Sequence, residues 1–203
     1  MFRKILPNHK HFLSNSLEIA IAFFLYLIAL AATNLLKSLL DGDLSLLLYL
    51  PAGIKLLSIL VFQWRGAVGI GLALFSRYLF YDHTYTVFES IAMAIINAGA
   101  TYLVIYSYMK TFNISPTLDN LNFGHILGLS TVCSIANGLL FAWLLFYFRH
   151  LEIGQYWHKA FLIVLSNFTG NAVLVWLMAY IARYHLKQNK LQKLTQSKGN
   201  DGR

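Results

Sequence analysis

The sequence predicts an all-α fold: a polytopic transmembrane bundle of about six helices, the second broken at Pro51, with both termini cytoplasmic. Three observations carry this. Of 203 residues, 58% are hydrophobic and only 12% charged, against about 25% charged in an ordinary soluble domain. That leaves too little polar surface for a water-soluble globule. Apolar stretches recur along the chain, most of them near the ~20 residues that cross a hydrocarbon core. Lys and Arg are distributed unequally between the connecting segments, as the positive-inside bias requires.

In order along the chain, residues 1–16 form a basic lead carrying Arg3, Lys4 and Lys10, with Phe2, Ile5 and Leu6 suited to an interfacial helix. The apolar run that follows, 17–36, is about twenty residues long without a small-residue cleavage pattern, so it reads as a retained helix and not as a signal peptide. A short turn containing Asp41, Gly42 and Asp43 leads to a second span, 44–62. Trp64, Arg65 and Gly66 mark a tight corner, and the third span, 67–80, is short. The fourth span covers 88–109. The loop 110–124 holds the turn formers Asn113, Pro116, Asp119 and Asn120. The fifth and sixth spans cover 125–148 and 158–182, and 185–203 is a basic tail expected to extend the last helix and fray. The transmembrane domain is thus 17–184.

With six spans, one face carries Arg3, Lys4, Lys10, Arg65, Lys110 and the basic tail, whereas the other has only Lys37, Arg149 and Lys159 beside five acidic residues. Both ends are therefore expected in the cytoplasm. The net charge of +8 reflects this topology. No basic stripe interleaved with stacking aromatics lies outside the spans, so nucleic acid is not an expected partner.

Several residues are ill suited to a plain lipid-facing helix. Pro51 and Gly53 interrupt the second span, and Lys55 follows within it. A membrane-buried lysine is costly unless it snorkels, pairs, or lines a wet cavity. A helix restarting at Pro51 beside a lysine would make an anion or carboxylate site. The only acidic candidates for a counter-ion are Glu18 and Glu89, both near span ends. Asn97, Asn137, Asn167 and Asn171 recur with glycines near the middle of the last three spans. Such amides either glue helices together or line a central polar pocket. The ligand-binding candidates are accordingly Lys55, Pro51, Gly53, Asn97, Asn137, Asn167 and Asn171.

Arg77 and Glu89 flank the third outer loop and are expected to pair across it. The single cysteine, Cys133, rules out an internal disulfide and any cysteine-based zinc site. His83, His125, His150 and His158 lack the spacing of a helical metal site. No metal, no cofactor and no catalytic residue is expected, since no Ser-His-Asp arrangement, nucleophile elbow, phosphate loop or intramembrane carboxylate pair is present.

Leu50-Pro51-Ala52-Gly53-Ile54, the Trp64-Arg65-Gly66 corner and Gly69-Ile70-Gly71-Leu72-Ala73 together resemble the start of the bacterial membrane-associated sensor domain MASE1. Ser166-Asn167-Phe168-Thr169-Gly170-Asn171 resembles that family's late Trp-x-Gly-Asp-x-x-Gly helix. The chain departs from the pattern at Leu50, where the family has tryptophan, and at the late aspartate, for which Asn171 or Thr169 is the nearest polar substitute. The resemblance implies a shortened, stand-alone sensor or scaffold domain of the bacterial inner membrane. Such a domain binds a ligand or partner and transmits a signal through a separate cytoplasmic or membrane protein, which the cytoplasmic face and tail would contact. Two alternatives are a substrate-binding subunit resembling those of energy-coupling-factor transporters, and a structural subunit of a membrane complex. In each, the lipid bilayer is the main solvent.

Overall fold

The computed structural model describes residues 9–39, 49–81, 85–149 and 152–200, with the side chains of 9–13, 149, 178–179 and 181–200 excepted. All regular structure among them is helical: α1 (His9–Leu39), α2 (Leu50–Phe62), α3 (Trp64–Phe80), α4 (Val87–Thr111), α5 (Phe123–Arg149) and α6 (Ile153–Asn200). Residues 1–8 of the basic lead, the Asp41–Asp43 turn, His83 and His150 lie outside the described residues, while residues 9–16 belong to α1.

The bundle has an apolar core around Tyr26, Ile59, Ile70, Leu74, Met93 and Leu129, with polar side chains set into it, and an apolar exterior. Thr33, Ser90, Thr101, Ser130, Ser134 and four asparagines are buried, while Phe24, Ile28, Leu72, Ile95, Leu103 and Trp176 face outward. In water this arrangement would expose a large apolar surface. In lipid it is the favourable one, because hydrocarbon covers the apolar exterior and interior polar groups find partners on neighbouring helices.

Four helices, α1, α4, α5 and α6, are long and apolar enough to cross a membrane. The other two are shorter, as expected for the third span. At 1.5 Å per residue, the 13 residues of α2 reach about 20 Å and the 17 of α3 about 26 Å, short of a ~30 Å hydrocarbon core. The two are joined by Gln63 alone, whose φ of 55° and ψ of −130° reverse the chain within one residue. The second span was expected to break at Pro51. The described helix α2 begins at Leu50 with the proline in its first turn, where no intrahelical donor is lost. Residues 44–48, which would precede such a break, lie outside the described residues.

The ends of α4 show how local sequence fixes the helices. Thr86 and Glu89 form a reciprocal capping box: Thr86 Oγ1 accepts from the Glu89 amide and the Glu89 carboxylate accepts from the Thr86 amide at 2.7 Å. At the other end, Asn113 takes φ 50°, the Ile114 amide reaches back to the Met109 carbonyl at 2.8 Å and the Asn113 amide to Lys110 at 3.4 Å. This is a Schellman closure with asparagine at the left-handed position. Asn120 then braces the loop, accepting from the Ser115 amide and donating to the Asn113 carbonyl, both at 2.8 Å.

α2 is the centre of the bundle. It packs on α1, α3, α4 and α6, and eight of its thirteen residues are buried. Its crossing with α6 is so close that a Cβ on Gly170 would lie 1.9 Å from the Tyr49 carbonyl oxygen, and one on Gly53 would lie 2.8 Å from the Leu174 Cβ. Only glycine permits such an approach. A bridge from Arg65 Nη1 to Glu18 Oε2 at 2.8 Å ties the start of α3 to the N-terminal third of α1. α6 continues as helix to Asn200, well beyond residue 182 where the sequence ends the sixth span.

Candidate functional site

Between the helices lies a polar cavity of about 180 Å³, lined by side chains of α1, α2, α3, α4, α5 and α6 and by Tyr49. Lys37 in the last turn of α1, Tyr49 at the start of α2 and Arg77 in the last turn of α3 place its mouth at the bundle end opposite the Arg65–Glu18 bridge.

Lys55 forms the inner wall. It is only 6% exposed, and its Nζ donates to Asn97 Oδ1 at 2.7 Å. This replaces both the snorkelling and the ion-pair readings of the sequence. The stem is held within the bundle by α2 packing, and Glu18 is engaged by Arg65. Among the described residues no carboxylate lies within ion-pair distance of Lys55. Thr101 Oγ1 stands 2.8 Å from the Asn97 carbonyl and 2.9 Å from Asn137 Oδ1, sharing its proton between them. A polar ladder thus runs Lys55–Asn97–Thr101–Asn137 across α2, α4 and α5.

A second set of hydrogen bonds lines the opposite wall. Arg77 Nη1 donates to the Tyr49 hydroxyl at 2.6 Å, and that hydroxyl lies 2.7 Å from the buried hydroxyl of Tyr26. The Arg77 guanidinium also sits over the Tyr49 and Tyr78 rings, 5.7 and 5.8 Å from their centroids, which fixes its position by cation–π attraction. Glu89, the partner expected for Arg77, takes part in the α4 capping box, and Arg77 and Glu89 each make a further interaction.

The sequence-derived residues fall into two groups. Lys55, Asn97, Asn137 and Asn167 line the cavity. Asn171 does not: its Nδ2 donates to Ser134 Oγ at 3.1 Å and lies 3.5 Å from the Ser130 carbonyl, joining α6 to α5. Pro51 and Gly53 are also buried away from the lining; Gly53 provides the α2–α6 crossing. Tyr26, Tyr49, Lys37, Arg77 and Ser166 join the site without having been singled out for it. Their one signal was a hydroxyl or charge within or beside an otherwise apolar run. Among the described residues no three His, Cys, Asp or Glu side chains gather as a metal-binding group.

No protein-family model, curated protein or solved structure matches this chain. The cavity's own chemistry therefore carries the functional argument. It holds charged and amide groups inside the bundle, around Lys55, Arg77, Asn97, Asn137 and Asn167.

Proposed function

We propose that this chain is a sensor-like ligand-binding domain of the MASE1 type, spanning the bacterial inner membrane six times with both ends in the cytoplasm. The observation that supports this most is the central cavity itself. Six helices contribute to one polar site around Lys55 and Asn97, where an asparagine–threonine packing motif alone would need no open space. In this reading α2 and α3 cross as a short hairpin. Ligand in the cavity bears on α2 and α6 together, since their backbones touch at Gly53 and Gly170. α6 continues as a helix to Asn200 and offers a route to a separate partner protein.

The experiment is purification of the full chain in nanodiscs and mass spectrometry of whatever co-purifies. A stoichiometric small molecule, absent from the Asn167→Leu variant, supports the reading. A stoichiometric protein with no small molecule in wild type or variant supports a scaffold instead. The same cavity also favours a carrier subunit, and a co-purifying nucleotide-hydrolysing module would decide for that.

A further inference from the structure

We infer that the cavity takes a small organic oxyanion, a carboxylate or a phosphate, with its charged head on Lys55 and its entry past Lys37 and Arg77. This deepens the ligand-binding reading above and rests on it.

The lining is basic. Lys37, Lys55 and Arg77 all contribute, and no aspartate or glutamate does among the described residues. The inference rests on Lys55. A lysine 94% buried inside a membrane bundle requires an anion or a rich set of acceptors, yet the one acceptor described for it is Asn97 Oδ1. Two of the three ammonium protons remain for the cavity.

The neighbouring groups present hydrogen-bond donors as well. With Asn97 Oδ1 occupied by Lys55 and Asn137 Oδ1 by Thr101, each amide turns its Nδ2 donor to other partners. Arg77 donates to Tyr49, so that the Tyr49–Tyr26 pair also has a proton to pass inward. A site dense in donors and cationic groups is complementary to oxyanions and opposes cations.

Size narrows the class further. About 180 Å³ lies below the ~300–1,000 Å³ of pockets for drug-sized molecules. The ring walls of Tyr26, Tyr78 and Phe141 leave room for a short carbon skeleton and not for a nucleotide or a lipid headgroup with its chains.

The test uses the full chain in nanodiscs and follows thermal unfolding with four probes at matched ionic strength: succinate, inorganic phosphate, the neutral isostere succinamide, and choline. Succinate or phosphate is expected to raise the melting temperature by several degrees in a saturable manner, and the larger of the two shifts identifies the head group. Succinamide and choline are expected to give none. Lys55→Met should abolish the anion shift and Lys55→Arg should retain it. If Lys55→Met does not fold, the succinate–succinamide contrast on the wild-type chain decides alone. A shift from succinamide or choline without one from either anion overturns the anion assignment and leaves the ligand-binding reading standing. No shift from any probe overturns both.

Discussion

Replacing Gly170 by alanine should be among the most damaging single-methyl changes in the protein. Its Cβ would stand 1.9 Å from the Tyr49 oxygen and 2.6 Å from the Tyr49 carbonyl carbon. These are backbone atoms and cannot swing aside as a side-chain terminus can. Accommodation requires α6 to retreat from α2 along a crossing that also carries Gly53 and sits directly behind Tyr49. Overpacking in a dense core costs roughly 1–3 kcal/mol, and the upper end applies where the obstacle is backbone. At about 2–4 °C per kcal/mol for a chain of this size, the melting temperature should fall by roughly 6–12 °C. The sole cysteine, Cys133, is 1% exposed, so a thiol-reactive fluorogenic dye reports unfolding without further engineering. Gly99 supplies the control, since a Cβ there meets nothing within 4 Å. Gly99→Ala should stabilise by roughly 0.5–1 kcal/mol through the helix propensity of alanine. If Gly170→Ala melts with the wild type, or the two substitutions shift stability in the same direction, the packing of α2 on α6 described here is wrong.

Other consequences follow from single positions. Gln63 holds a positive φ that an L side chain rarely adopts; Gln63→Gly should stabilise by about 1 kcal/mol, read in the same dye assay. Glu18→Gln should lower stability by less than about 1 kcal/mol, because the bridge to Arg65 is partly exposed and screened, and the loss should shrink in high salt. Asn171→Leu should cost about 1–2 kcal/mol by stranding Ser134. It should leave ligand-dependent melting shifts intact, because Asn171 lies outside the cavity.

Much of this was legible in the sequence, for identifiable reasons. Hydropathy and charge bias place the long helices, because a bilayer tolerates few alternatives to a helix with satisfied backbone. Lys55 and the asparagines stood out because polar groups at membrane depth have few inexpensive explanations. What could not be read is which of those amides share a space. Asn167 and Asn171 are four residues apart on one face of α6, yet one meets the cavity and the other reaches Ser134 on α5; about 6 Å along the helix axis separates them, and which level faces open space is set by the packing of the neighbouring helices. Pro51 stands in the first turn of α2, a position that suits proline, and residues 44–48 before it lie outside the described ones. Tyr49 escaped notice, and Arg77 was read only as a loop-closing partner of Glu89, because each looks like an ordinary interfacial residue until the ends of α1, α2 and α3 converge.

The polar cavity opens at the face bearing Lys37 and Arg77. The most direct measurement is the reaction of Asn167→Cys, in a Cys133→Ala background, with a membrane-impermeant anionic methanethiosulfonate. Intact spheroplasts and inverted vesicles are compared, with Ile95→Cys on the lipid-facing surface as reference. Rapid modification of Asn167→Cys in spheroplasts alone, with Ile95→Cys inert in both, is the predicted result. Modification only in inverted vesicles, or none until the protein is unfolded, would contradict it.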